Sequence, residues 1–314
     1  MSTLVIRPFR STDGAGISEL FRRVYGDHYV SPDVYLPRMI CQYNAQQHWR
    51  SMVAVLDEHV VGHAALCRGL ASPSDAELAL MAVDPALQGA GIATRLGQRL
   101  LDRCQDLGLA RLSIKQVTSH PFSQRLAQQL GFHDTGLLPD YVPSPFANAQ
   151  AETIVVGCQV INDQHRPLPH LRWPATCQWL MEPLASRFGT TAIETPASVQ
   201  PLQVRQLPGR IDIVAASMDR RLAGQLQHLP AHWPLSVRLG LRQSFADDCR
   251  RLMAAGFIFT GIMPAESDRG WQTLFHRGAL ARSLSLHSET MQRLHNELQA
   301  HAQTWRGAQA NSAA

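Results

Sequence analysis

Lysine is almost missing from this chain. Lys115 is the only one, so the net charge of +4 rests on arginine. Charged residues make up 17% of the 314 positions, below the roughly 25% of ordinary soluble chains. The positive excess is spread thinly and forms no basic stripe, which argues against a nucleic-acid partner and mildly favours small anionic molecules. Long apolar runs are absent too: none approaches the ~18 residues that a membrane span requires, so no membrane partner is expected. Met1 to Pro8 has neither the basic start nor the apolar stretch and cleavage site of an export signal, which makes a cytoplasmic location the expectation. The six cysteines (Cys41, Cys67, Cys104, Cys158, Cys177 and Cys249) form no C-x-x-C pair and no Cys/His grouping of zinc spacing. They read as reduced, mostly buried thiols, with no metal site.

What is present is enough to fold. Apolar residues reach 45%, and 314 residues exceed the ~100–200 of a usual domain, so two domains are expected. An internal echo supports this: Gly131-Phe132-x-x-Thr135-Gly136-x-x-Pro139 recurs as Gly256-Phe257-x-x-Thr260-Gly261-x-x-Pro264. Each copy follows strand, helix, strand, helix and leads into a further strand. In the first, Glu77 to Val83 and Arg111 to Val117 read as strands. Ile92 to Leu107 and Phe122 to Leu130 read as helices, with Gly131 ending the second. In the second, the pieces are Arg210 to Ala216, Asp219 to Leu229, Leu235 to Leu241 and Phe245 to Ala255. Upstream, Leu4 to Phe9 is a strand, and Ile17, Leu20, Phe21 and Val24 form a helical stripe capped by Thr12 or Asp13. Met52 to Leu56 and Val60 to Leu66 flank the hairpin turn Asp57-Glu58-His59, and Glu152 to Val160 closes the first half. The Pro-containing stretch Asn162 to Pro169 is the linker candidate. The expected division is 1–163, 164–286, and a polar helical tail 287–314 whose end is disordered.

The strand ending at Val83 runs through Asp84-Pro85-Ala86-Leu87-Gln88-Gly89-Ala90-Gly91-Ile92-Ala93-Thr94 directly into an amphipathic helix. The first amides of a helix lack internal partners, and with the helix dipole they suit an anion such as a pyrophosphate. Gly89 and Gly91 would let the main chain approach it closely. A tight turn that binds nothing explains a bare glycine pair equally well. A P-loop is excluded, because no Gly-Lys-Ser/Thr follows. A dinucleotide fingerprint fits poorly: Thr94 takes the third glycine position, and Lys115-Gln116-Val117 ends the next strand without an acid.

Val83-Asp84-Pro85 followed by Gln88-Gly89-Ala90-Gly91-Ile92-Ala93 resembles the Gln/Arg-x-x-Gly-x-Gly/Ala acyl-CoA signature of the GNAT acyltransferase superfamily, and Leu130-Gly131-Phe132 sits where that family ends its fourth helix. The match covers roughly Leu4 to Val160. The resemblance implies a mixed α/β (α+β) sheet of the GNAT acyl-CoA N-acyltransferase fold, followed by a second GNAT-like half. It also implies acetyl-CoA or another acyl-CoA as donor, with its pyrophosphate on the amides of Gly89, Ala90, Gly91, Ile92, Ala93 and Thr94 after Gln88. Its pantetheine arm would pair with the backbone of Met81, Ala82 and Val83, where two central strands splay apart. A backbone N–H near Leu80 or Met81 would polarise the acyl carbonyl. Thr118 and Ser123, flanking the turn after the fifth strand, are further cofactor candidates, or they simply cap a short helix.

Direct attack by an amine needs a base, and many members of the family hold a glutamate where Glu77 stands; a solvated strand-edge carboxylate is the other reading. The tyrosine that often serves as acid falls at Ala127. Tyr141, His120 and His63 remain as candidates for proton transfer, each equally explicable by packing. Tyr25, His28, Tyr29 and Tyr35 are candidates for the acceptor pocket. The second copy has Ala215-Ala216-Ser217-Met218-Asp219-Arg220 in place of the glycine turn, and Asp219 would repel phosphate, so that half reads as degenerate. Its expected role is to close the acceptor cleft and lend arginines to it, or merely to cover a sheet edge. The expected function is N-acylation of a small-molecule amine by a monomer or homodimer. The alternative is a non-catalytic acyl-CoA sensor.

Overall fold

A computed structural model describes residues 3–69, 73–144, 150–161, 166–192, 202–207, 209–265, 270–278, 280 and 283–312. In chain order the first half contains β1 (Val5–Pro8), α1 (Gly14–Tyr25), α2 (Pro37–Ala45), β2 (Trp49–Leu56), β3 (His59–Arg68) and β4 (Asp75–Val83). It continues with α3 (Ile92–Leu101), β5 (Arg111–Val117), α4 (Phe122–Gln129), β6 (His133–Val142) and β7 (Glu152–Val160). Next, β8 (Leu168–Pro169) and β9 (Thr190–Thr191) form a short parallel pair around α5 (Gln178–Phe188). The second half holds β10 (Gln203–Leu207), β11 (Arg210–Ala215), α6 (Arg220–Gln227), β12 (Leu235–Gly240), α7 (Phe245–Ala254), β13 (Ile258–Pro264), β14 (Trp271–Arg277) and α8 (Glu289–Ser312).

Strict alternation makes β4 and β5 half-buried ladders: Ala76, Leu78, Leu112 and Ile114 point into the core beneath α3. Asp57 and Glu58, both at positive φ, close the β2–β3 hairpin with the twist that adjoining strands favour. The helix expected over Ile92 to Leu107 ends earlier, at Leu101. Tighter bonds from the amides of Arg103 and Cys104 to Leu100 and Leu101 replace it, although Cys104 stays buried as the apolar stripe required. Asp13 precedes α1 without capping it. Its carboxylate instead takes two 2.7 Å bonds from Arg7, and this bidentate charged pairing outweighs a cap. The six cysteines are free, four of them buried.

Twelve strands form one mixed sheet in the order β1-β2-β3-β4-β5-β7-β6-β13-β14-β12-β11-β10. Outward from the β6–β13 junction the repeated elements mirror each other: β6 answers β13, β7 answers β14, β5 answers β12 and β4 answers β11. In each half the latter two pair in parallel. The junction falls on the echoed motif itself, where Gly136 pairs antiparallel with Gly261. Only glycine fits there, because a Cβ at Gly261 would lie 2.4 Å from Gly136 Cα and from the Thr135 carbonyl oxygen. The boundary expected at 163/164 lies outside the described residues, and the tail forms α8 up to Ser312. Among the described residues no helix is long and apolar enough to cross a membrane.

Candidate active site

One residue reorients the centre of the sheet. Leu80 has φ +53, rare for a side chain of its kind, and two residues of β4, Leu80 and Met81, stand against the single residue Ala64 of β3 between the pairs Ala79/Ala65 and Ala82/His63. The bulge flips the side-chain parity of the strand. Ala76 and Leu78 pack under α3 before it, whereas Leu80 and Ala82 pack under α1 and α2 after it. Pairing of β4 with β5 stops at Leu78/Ile114, so the β5-facing edge of β4 beyond that point has no strand partner. This is the splay expected beside Met81, Ala82 and Val83, whose β5-facing main chain has no strand partner among the described residues.

Two side chains hold the bulge. The fully buried His63 places Nδ1 2.7 Å from the Leu80 carbonyl, which can only accept; Nδ1 therefore carries the proton, and Nε2 accepts from Ser51 Oγ at 3.0 Å. Tyr25 donates its hydroxyl to the Met81 carbonyl at 3.2 Å. Burial pushes the His63 imidazole down to about 4, so it stays neutral and cannot shuttle protons near neutral pH. Between about 4 and the unfolded value near 6.5 the unfolded chain binds the extra proton. His63 therefore contributes stability that is complete above about pH 6.5 and is lost as pH falls toward 4, roughly 3 kcal/mol in all. His276, pushed by burial to about 3, adds a slope of the same sign. Urea unfolding at about pH 7 and about pH 4.5 should show His63→Gln losing less stability on acidification than the parent; equal losses would contradict this.

Beyond the bulge, β4 feeds the glycine turn. Gly89 and Gly91 have φ +84 and +70, and a Cβ on either would meet no atom within 4 Å. The surrounding fold thus leaves the space over both residues open. Gln88, Gly89, Ala90 and Gly91 are exposed, and the first-turn amides of Ile92, Ala93 and Thr94 have no partner within α3. Asp84 does not charge this turn unopposed. Its carboxyl accepts the Ala86 amide and pairs with Arg23, contacts that hold it below the usual carboxylate range. The group an acyl-CoA would present here, a pyrophosphate, fits an open cradle of main-chain donors.

Glu77 lies on the α1/α2 face, opposite α3, and borders a cleft of about 290 Å³. The β5 side chain next to it, Lys115, puts Nζ 2.7 Å from Glu77 Oε2. Phe188, Met263 and Trp271 reach the same cleft from beyond residue 164. Asp75 at its edge is shared between Arg111, 2.6 Å away, and Arg166.

Residues 15–132 match the Acetyltransferase (GNAT) family. A [Ribosomal protein bS18]-alanine N-acetyltransferase of Haemophilus ducreyi is 30% identical to the chain over 91 residues, which are 29% of this chain and 61% of that protein. The chain thus spans about 61% of the length of this curated relative. Among solved structures, the ribosomal-protein-S18-alanine N-acetyltransferase of Escherichia coli aligns with 51% of this chain and 94% of its own length, at 19% identity and a TM-score of 0.43. A putative acetyltransferase of Salmonella typhimurium, solved with acetyl-CoA, aligns with 51% of this chain and 95% of its own length, at 22% identity and a TM-score of 0.42.

In and after the segment that matches the GNAT family, several expected residues lie away from the splay. The Thr118 side chain is buried, and its hydroxyl donates to the Thr153 carbonyl at 2.9 Å, which leaves it turned from any cofactor. The Ser123 hydroxyl does not cap α4; it donates to Val117 O at 3.4 Å. Thr94 donates its hydroxyl to Gln129 Oε1, so its amide is what remains for a ligand. His120 rests its ring 5.1 Å from that of Phe122, in the turn before α4, and no described contact joins it to Glu77. Tyr141 is closer: its ring centroid lies 6.0 Å from Lys115 Nζ and 4.9 Å from the Arg210 guanidinium. Of the acceptor candidates, Tyr25 is engaged at the bulge and Tyr35 accepts the Tyr29 amide at 2.9 Å, while His28 is exposed. Tyr29 senses the site: burial, Tyr25, Cys67 and Glu77 raise its phenol well above the ordinary value.

The second half keeps the element order of the first but not its devices. β11 has no residue at positive φ, and its pairing with β12 runs unbroken from Ile211/Leu235 to Ala215/Leu239, without bulge or splay. Asp219 caps α6 with its own carboxylate, 2.7 Å from the Leu222 amide, so the anion position is filled from within. Two of its arginines that reach toward the first half are paired: Arg166 with Asp75, and Arg210 with Asp212. Sequence reasoning missed Lys115, whose scarcity was visible but whose closeness to Glu77 depends on strand register. Among the described residues no cluster of three or more His, Cys, Asp or Glu side chains is placed to hold a metal ion.

Proposed function

We propose that this chain is an acyl-CoA-dependent N-acyltransferase that moves an acetyl or other short acyl group onto the amine of a small molecule by direct attack. The observation that carries the reading is the Leu80 bulge with the end of β4–β5 pairing at Leu78/Ile114, on the strand that runs into the glycine turn. Acetyl-CoA supplies the acyl group as a thioester. The amides from Gly89 to Thr94 and the free edge of Met81 to Val83 would hold it, and a bulge amide near Leu80 or Met81 would polarise its carbonyl. Glu77 takes the proton from the attacking amine. Residues 1–163 would form the catalytic domain, 164–286 a degenerate GNAT-like domain and 287–314 a tail; a cytoplasmic monomer or homodimer completes the proposal.

The relatives' names specify an alanine of a ribosomal protein as acceptor. A small amine is favoured here because Phe188, Met263 and Trp271, from the second half, help line the cleft beside Glu77, whose volume is about 290 Å³. A second reading, a sensor that binds acyl-CoA without turnover, is favoured by Ala127, which is buried and offers no hydroxyl where the resemblance expects an acid. Thiol release from acetyl-CoA across a panel of small amines separates the two. Amine-dependent release supports the enzyme, and binding with no release for any amine supports the sensor.

A further inference from the structure

Lys115 stands one residue beyond Ile114, the last β5 residue paired with β4, and therefore at the fork of the splay. Its Nζ is 2.7 Å from Glu77 Oε2. The two side chains keep 33% and 30% of their exposure, and both border the cleft. An ion pair this open contributes little to folding. The chain uses arginine at every other basic position outside histidine, and arginine would make the same pair more rigidly. What lysine offers and arginine does not is a proton that can leave and return.

Thioester aminolysis releases a thiolate, which needs a proton on departure. Ala127 cannot give one, His120 is held against Phe122, and the Tyr141 ring packs against the Arg210 guanidinium at 4.9 Å, farther from the ion pair than Lys115 itself, whose Nζ is 6.0 Å from the ring centroid. Resting on the acyltransferase reading above, we propose that Lys115 is the catalytic acid, giving its ammonium proton to the departing sulfur while its partner Glu77 receives the proton of the amine. The amine nitrogen bonds to the acyl carbon, and the carbon–sulfur bond breaks with its electron pair on sulfur. The Nζ proton goes to sulfur and yields the free thiol. The proton lost by nitrogen sits on Glu77 and then crosses the 2.7 Å contact to Nζ, which restores carboxylate and ammonium with no co-reactant.

The test compares the parent, Lys115→Met and Lys115→Arg by thiol release with acetyl-CoA and the amine panel, by acetyl-CoA affinity, and by intact mass. Both variants should lose about 10²-fold or more in kcat with acetyl-CoA affinity little changed, since arginine keeps the charge beside Glu77 but not a transferable proton. Parental kcat in Lys115→Arg would mean that Lys115 only positions Glu77 by charge, and would overturn the proposal. An acetyl adduct on Lys115 of the parent would overturn it also, by making the lysine an acceptor. If the parent itself releases no thiol with any amine, the acyltransferase reading fails and this inference falls with it, whereas a fully active Lys115→Arg sinks the inference alone.

Discussion

Glu77→Gln is expected to lower kcat by about 10²–10⁴-fold while acetyl-CoA affinity stays near that of the parent. The two quantities should separate because Glu77 lies on the α1/α2 face of β4, whereas the glycine turn follows the bulge and starts the helix that covers the other face. Glutamine preserves the size of the side chain and can still accept a bond from Lys115, so the loss reports the missing base and not a collapsed cleft. Steady-state thiol release beside calorimetry with acetyl-CoA makes the measurement. Equal losses in both would place Glu77 in donor binding, and unchanged kcat would remove it from proton transfer.

Gly261→Val is expected to destabilise the protein by about 3 kcal/mol or more, as backbone strain and overpacking each contribute roughly 1–3 kcal/mol. Gly261 has φ +113, and its Cβ would sit 2.4 Å from the backbone of the facing strand, where nothing can swing aside. Gly136→Ala should cost less, because its Cβ would meet its nearest neighbours at 3.0 Å. Denaturant unfolding of both variants gives the order. A Gly261→Val protein as stable as the parent would show that the sheet does not close through these two glycines.

Much of this architecture was legible because local patterns and the global fold agree. The echoed Gly-Phe-x-x-Thr-Gly motif marked equivalent strands, and alternation in Arg111 to Val117 and Leu235 to Leu241 placed β5 and β12, the latter ending one residue earlier at Gly240. Less visible was why the motif recurs: its second glycine lies at the seam between the halves, a constraint of close backbone approach that a single strand does not display. The end of α3 was misjudged because the stripe through Cys104 continues while the backbone tightens into turns. In the site, the glycine turn could be read from spacing, since main-chain donors require only small residues. Thr118 could not, because its hydroxyl finds an acceptor 35 positions away on the neighbouring strand. His63 illustrates the same limit. Its ordinary titration range suggested proton transfer, and full burial against Leu80 and Ser51 makes it a clamp.

The central claim is that main-chain amides between Gly89 and Thr94 grip the diphosphate of an acyl-CoA. Calorimetric titration of acetyl-CoA into the parent and into Gly91→Val tests it most directly, since a side chain at Gly91 would meet no protein atom within 4 Å and would stand in the ligand's space, while the strain of φ +70 on a valine acts on the same turn. The account predicts saturable binding by the parent and a loss of at least about a hundredfold in the variant, the worth of one or two charge-assisted hydrogen bonds. Affinity retained in Gly91→Val, with the fold intact by circular dichroism, would contradict it.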